Sequence, residues 1–435
     1  MKNNEIAIDM AGGSWSGYGI PDEEELVLGV NAYYSTCSEK TGLNNNVCVV
    51  GGSGTGKTRG IVEPNLLRAS GSYVVCDSKG ILYNKYRDYL TERGYQVRLL
   101  DFTDPENKDS CHYNPLSYIT NTAEINALAR TLLWARNNDE AGSIDCFRKK
   151  AAESLLSAVI GYLRDYTESE NLCIRNLDYL LNVDKPAAPD YDENDDDEYQ
   201  HAGNEFLDRI FAEIETLDPD SYSVKQYREY RNGAGCCNNT VRGYVAAELS
   251  KIYLPEYTEF FEKDTINLCG IGKEKTAIFI KADIADAPSD KMIPVLFTQV
   301  FRILRREVAI SPERKLTVPA CMILDDYMTH YDVEDLQGMI TSVNDSRISV
   351  IVLLKSEAQL ESSYRVSART VISNCDIYVY LGGSDLVTCK RISLRAQKPL
   401  ADVLALPVGK GIVIRRGSDS EVVDIINPDE MRGLF

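Results

Sequence analysis

The chain has no apolar run of the roughly 18 residues that a transmembrane helix requires. Its first residues, MKNNEIAIDMAGGSW, hold no apolar core of the signal-peptide kind, so a cytoplasmic protein is expected. No CxxC pair occurs among the 12 cysteines, and several (Cys48, Cys76, Cys321, Cys375) sit inside apolar, strand-like runs. They read as small buried hydrophobes of a reducing compartment rather than as disulfide partners. Only three histidines are present, His112, His201 and His330, far apart in sequence, which argues against a structural zinc site. An excess of basic charge is missing too: 47 Lys and Arg stand against 66 Asp and Glu, for a net charge of −19. A protein that coats nucleic acid with its outer surface is normally basic. Any contact with DNA must therefore come from a local basic lining, such as the inside of a ring. Much of the acidity lies in PDYDENDDDEY (189–199), read as a solvated loop and, as the alternative, as a partner-docking element. No internal repeat is visible.

At 435 residues the chain exceeds one ordinary core, and two domains are expected. Residues 1–46 carry Gly, Ser and Asn clusters with one apolar run, Leu26 to Val30, predicted as an edge strand. From Val47 the pattern alternates between short apolar strands (VCVV, YVVC, QVRLLD) and helices, which predicts a parallel sheet covered on both faces. From about Asn121 to Lys263 the periodicity is helical and no strand stands out; the helix at 147–166 is the longest of five predicted there. The βα rhythm then resumes with TAIFIKA (276–282), PACMILDDY (319–327), SVIVLLK (349–355), DIYVYLG (376–382) and GIVIRRG (411–417), the last closing the sheet. The predicted organisation is an α/β domain of RecA-like P-loop NTPase type with a mostly parallel sheet, in two parts, 1–120 and 264–435, around an inserted all-α domain at 121–263.

GGSGTGKT (51–58) matches the pattern GxxxxGK[ST] in full, with a strand before it and a helix after it. Gly51, Gly52, Ser53, Gly54, Thr55 and Gly56 allow the backbone to wrap closely, so that successive N–H groups face a phosphate. Lys57 is expected to reach the β and γ phosphates of ATP, and the Thr58 hydroxyl to ligate Mg²⁺. Such a loop needs a carboxylate on the metal side, at the end of a neighbouring strand. CMILDD (321–326) supplies Asp325 for the metal and Asp326 to orient an attacking water, the plainer reading being an acidic strand end. Lys355, ending the next strand, is placed where a group can sense the γ-phosphate. Asp77-Ser78-Lys79-Gly80 ends another strand on the same edge, with Lys79 either a phosphate or subunit contact or an ordinary turn residue.

The blocks VCVVGGSGTGKTRGIVEPNLL, YVVCDSKG, CHYNPLSYI, KQYREYRNGAG, ILDDY, ISVIVLLKSEAQL and ISNCDIYVYLGGSDL, in this order from about residue 44 to 390, resemble the type IV secretion coupling proteins of the TraG/TrwB kind. The resemblance implies a hexameric ATPase that brings DNA or protein substrates to a conjugation channel, with an all-α domain inserted in the RecA-like one. Implied partners are single-stranded, relaxase-bound DNA or a secreted protein. Members of this kind carry transmembrane helices before the P-loop, absent here. A soluble form is expected, peripheral to the inner face of the membrane through a separate membrane component, and a monomer in solution unless a ring assembles. Three positions also depart from the family pattern. Its metal strand usually ends Asp-Glu, but here it is Asp325-Asp326, one methylene shorter at the second position. Asn344 stands where an arginine finger is expected, with Arg347 nearby, and Lys355 stands where a Gln is usual. Arg347 and Lys355 are the residues able to stabilise transition-state charge in its place. The alternatives are a nucleotide-binding adaptor with weak or no hydrolysis, and a DNA motor of the FtsK or HerA kind; fold alone does not separate these.

Overall fold

The runs VCVV and SYVVC are buried along their whole length, as strands covered on both faces must be. The computed structural model describes residues 25–134, 146–183, 205–282, 287–325, 336–343, 345–364 and 367–434. Eleven strands are defined among them: β1 (Glu25–Gly29), β2 (Ala32–Ser35), β3 (Val47–Val50), β4 (Ser72–Cys76), β5 (Gln96–Asp101), β6 (Thr276–Lys281), β7 (Ala320–Leu324), β8 (Ile348–Leu354), β9 (Ile377–Tyr380), β10 (Lys410–Arg415) and β11 (Glu421–Asp424). Nine of them form one sheet in the order β11-β10-β9-β3-β8-β7-β4-β6-β5. From β9 to β5 all pairs are parallel, whereas β10 and β11 add antiparallel to the β9 edge.

Successive side chains along each strand point to opposite faces. Val47 and Val49 therefore join one hydrophobic cluster, while Cys48 and Val50 join another. On the first face lie the helix that follows the glycine loop, the helix Ile81–Glu92, the ribbon β1–β2 and the C-terminal helix Pro428–Met431. On the second lie the helices Ala287–Ile310 and Leu386–Ala396. The segment between β5 and β6 is helical, with no strand among its described residues. Its two most closely packed helices, Cys146–Tyr166 and Tyr222–Ala234, lie along each other, and Phe211 stacks on Tyr227 at 4.1 Å. The apolar side chains of these helices continue the second cluster without a break.

Leu26 to Val30 is an edge strand of a separate two-stranded ribbon, formed with β2 and laid over the first face. The Val30 N–H ties that ribbon to the main sheet by donating to the Asp424 carbonyl at 2.8 Å. One expectation about the edges needs correction: GIVIRRG does not close the sheet, because β11 pairs beyond β10. β11 is short and mostly exposed, and its alternation is too brief to read. The acidic stretch 189–199 and the end of the 319–327 run lie outside the described residues.

Asn65 fastens the ribbon to the helix beneath it. Its buried side chain accepts from the Val27 N–H at 3.0 Å and donates to the Val27 carbonyl at 2.8 Å, standing in for a missing strand partner. It also donates to the Ile61 carbonyl at 2.7 Å. Asn65→Leu leaves those backbone groups unpaired in an apolar setting, and a loss of roughly 1–3 kcal/mol is expected in denaturant unfolding. A change within error would mean that the ribbon does not need this side chain.

Candidate nucleotide-binding site

The glycine loop begins where β3 ends, and both neighbouring strands hold its mouth. Gly51 N–H donates to the Leu354 carbonyl at the end of β8 (3.0 Å), and Gly52 N–H to the Gly382 carbonyl just past β9 (2.9 Å). Gly54 and Gly56 have φ of 77° and 87°, which L side chains rarely adopt, so the turn needs glycine at both positions. Thr55 pins the loop by donating from Oγ1 to the Gly52 carbonyl at 2.9 Å. Lys57 is buried, and its Nζ donates back to the Gly51 and Gly52 carbonyls at 2.8 and 3.2 Å. The loop thus already encloses a positive charge beside the amino-terminal N–H groups of the following helix, the two elements that attract an anion.

That helix opens with a wide π-helical turn, Thr58–Val62, and continues as an α-helix over Glu63–Arg68. π-turns inside helices are frequent at functional sites. Gly60 in this turn lies against the C-terminal segment: a Cβ there would stand 2.3 Å from Ile425 Cγ2. Arg59 reaches the same segment, donating to Asn427 at 3.1 Å and to Asp429 at 2.7 Å. Gly60→Ala overpacks this contact and is expected to cost roughly 1–3 kcal/mol, with partial recovery in the Gly60→Ala/Ile425→Ala pair. Denaturant unfolding of the four proteins checks it, and an additive double variant would refute the contact as the cause.

Asp325 follows β7, and its carboxylate accepts from Thr58 Oγ1 at 2.7 Å. The two strands are not neighbours, contrary to the expectation from sequence, because β8 runs between β3 and β7. The contact forms nonetheless, since Thr58 lies a full loop beyond β3. A hydroxyl and a carboxylate side by side are hard oxygen donors, the set that suits Mg²⁺ completed by water and phosphate oxygens. Burial pushes the neighbouring Cys76 thiol well up, and the Asp325 charge is the next cause. Cys76 therefore stays neutral beside the acidic group.

Lys355 is exposed at the end of β8, and its main-chain N–H donates to Gln359 Oε1 at 2.9 Å. By the strand order it stands between the loop and Asp325. The strand itself ends one residue earlier than expected, at Leu354. Asp77 serves the turn it belongs to: its carboxylate accepts from the Tyr83 N–H at 2.8 Å, and burial pushes its pKa up. Lys79 is exposed in that turn. Arg347 lies elsewhere. It precedes β8, on the amino edge, with φ of 62° and a 3.4 Å bond from its guanidinium to the Leu316 carbonyl. The length of β8, at about 3.3 Å per residue, separates it from the loop by some 20 Å. Arg347 therefore lies too far from the loop to touch a group held there by its own chain. Asp326 and Asn344 lie outside the described residues.

Sequence reading missed the loop after β9. Gly382 holds Gly52, Tyr380 Oη donates to the Gly383 carbonyl at 3.1 Å, and Asp385 caps the next helix by accepting from the Thr388 N–H at 3.1 Å. The signal was available in the pair Gly382-Gly383 followed by Asp-x-x-Thr.

Residues 21–396 match the profile of the family described as "Type IV secretory system Conjugative DNA transfer". The protein VirD4 of Rhizobium rhizogenes is 22% identical over 358 residues, which is 79% of this chain and 48% of that protein. The chain thus spans about half the length of the curated relative it matches. Among solved structures, the plasmid coupling protein TrwB in complex with ADP and Mg²⁺ superposes with a TM-score of 0.59 at 16% identity, covering 88% of this chain and 86% of that one. VirB4 of Thermoanaerobacter pseudethanolicus gives 0.55 at 15%, covering 95% and 100%. These two likenesses show the fold, a RecA-like P-loop NTPase with a mostly parallel sheet. With the profile matched over most of its length, the chain belongs to the coupling-protein family of type IV secretory, conjugative DNA transfer.

Proposed function

We propose that this chain is a nucleotide-driven coupling protein, which binds ATP and Mg²⁺ at Gly51–Thr58 and Asp325 and uses hydrolysis to recruit or move DNA–protein substrates. The observation that carries the reading is the 2.7 Å contact between Thr58 and Asp325 beside the enclosed Lys57 ammonium. A hydroxyl, a carboxylate and an ammonium thus lie on one sheet edge, the groups that Mg²⁺ and a phosphate would take. Bound Mg²⁺ would neutralise charge on the β and γ phosphates. Lys57 would take phosphate oxygens in place of the two loop carbonyls, and Lys355 would face the terminal phosphate. The position of Asp326 in the sequence, directly after Asp325, keeps it the candidate for orienting water.

In this reading the helical segment 121–263 is a domain that meets the substrate, single-stranded relaxase-bound DNA or a secreted protein. A separate membrane component docks the assembly to the channel. A homohexamer is the working form, since the far-edge position of Arg347 gives it a use only at a neighbour's nucleotide. The same position favours a second reading, an adaptor that binds nucleotide but hardly hydrolyses it when no ring forms.

Turnover of ATP, measured with and without single-stranded DNA while light scattering reports assembly, separates the two. The motor predicts turnover that rises several-fold with DNA once the mass exceeds that of the monomer. Flat turnover across DNA concentrations in an assembled ring would reject the motor and leave the adaptor.

A further inference from the structure

Lys355 and Ser356 follow β8, the strand between β3 and β7, so their backbone lies between the phosphate loop and Asp325. The next residue, Glu357, is only 1% exposed although it is charged. Its carboxylate accepts from Tyr378 Oη at 2.9 Å, from Arg391 at 3.0 Å and from Arg395. Arg391 and Arg395 lie four apart on the helix Leu386–Ala396 and so share one face of it. Arg391 also reaches Glu361 at 2.8 Å, one turn further along the helix that Glu357 begins.

Further hydrogen bonds extend this cluster to the phosphate loop. The N–H of Glu357 donates to Thr388 Oγ1 at 3.3 Å, and that hydroxyl donates to the capping carboxylate of Asp385. Three residues earlier in the chain, the Gly382 carbonyl accepts from Gly52. The turn after β8 is closed from the other side by Gln359, which takes the Lys355 N–H. Stability alone does not call for such a group. A buried ion pair is often matched by apolar side chains of similar volume, and what it adds best is a fixed geometry. Here the geometry fixed is the stretch between the P-loop and the metal-side carboxylate.

We propose that Glu357 is a positioning residue: gripped by Arg391, Arg395 and Tyr378, it holds the backbone of 355–356 so that Lys355 faces the terminal phosphate. Discrimination between a nucleoside triphosphate and a diphosphate then depends on a carboxylate that touches neither. The inference rests on the nucleotide reading proposed above. It concerns only the preference between the two ligands, not binding as such.

The test measures affinities for ADP and for a non-hydrolysable ATP analogue, both with Mg²⁺, in four proteins: wild type, Lys355→Ala, Glu357→Gln and the double variant. Lys355→Ala is expected to lower the triphosphate preference about tenfold, the size of one charge-assisted hydrogen bond. Glu357→Gln should lower it by a similar factor, leave ADP affinity unchanged, and do nothing further in the Lys355→Ala background. Arg391→Gln, at a partly exposed site that leaves Arg395 in place, should show a smaller loss of the same kind and covers the case in which Glu357→Gln does not fold. Equal weakening of both ligands by Glu357→Gln or Arg391→Gln would overturn the proposal and leave these residues purely structural. So would an unchanged preference, or a full second loss in the Lys355→Ala background. A wild type that binds neither ligand would instead reject the nucleotide reading itself, a result distinguishable from failure of the brace alone.

Discussion

Lys57→Ala is expected to weaken binding of a nucleoside triphosphate by about 100-fold or more while leaving the fold in place. The ammonium is buried against the Gly51 and Gly52 carbonyls, at 2.8 and 3.2 Å. A phosphate entering the loop exchanges those neutral acceptors for charged oxygens, at a site where little water screens the attraction. Alanine removes the only cation inside the turn as described, so the N–H groups and the helix end must hold the phosphates alone. The cost to stability is much smaller. Two carbonyls at the loop mouth lose one donor, worth about 1 kcal/mol. Equilibrium titration with a fluorescent ATP analogue, alongside thermal unfolding, reads both quantities. Undiminished affinity in a folded Lys57→Ala protein would mean that the nucleotide binds elsewhere.

Asp325→Asn is expected to spare metal-free nucleotide binding and remove the use of the metal. Asparagine has the same shape, and its amide oxygen can still accept from Thr58 Oγ1, so the 2.7 Å contact can persist. What disappears is the negative charge that draws Mg²⁺ to the loop. The Mg²⁺-dependent part of the affinity should vanish, and any hydrolysis should fall by roughly 10²–10³. Titrations with Mg²⁺ and with EDTA, plus steady-state turnover, measure the two effects. An Asn variant that keeps the full Mg²⁺ dependence would show that Asp325 is only a strand-end residue bonded to Thr58.

The parts of this molecule legible in the sequence are those set by local pattern. VCVV followed by GGSGTGKT announces a strand, a tight loop and a helix start, and the structure has each at that place. Strand order is not local. Nothing in ISVIVLL says that it inserts between β3 and β7, because all three runs are short and apolar and none carries a mark of its neighbours. The same limitation applies to Arg347. Its position in sequence, eight residues before Lys355, looks close, yet an extended strand carries the two to opposite edges of the sheet. Glu357 was unreadable for another reason. Its partners come from β9 and from a helix some 30 residues away, and the only trace is the spacing of Arg391 and Arg395. The short edge strands β2 and β11 were missed because their pairing depends on neighbours rather than on their own alternation.

The most direct measurement is a crystal structure grown with Mg²⁺ and a non-hydrolysable ATP analogue. The account predicts the β and γ phosphates inside Gly51–Thr58, Lys57 Nζ moved from the Gly51 and Gly52 carbonyls onto phosphate oxygens, and Mg²⁺ taken up beside Thr58 and Asp325. A loop that stays closed on Lys57 at saturating analogue, with the Thr58–Asp325 hydrogen bond unchanged, would contradict it.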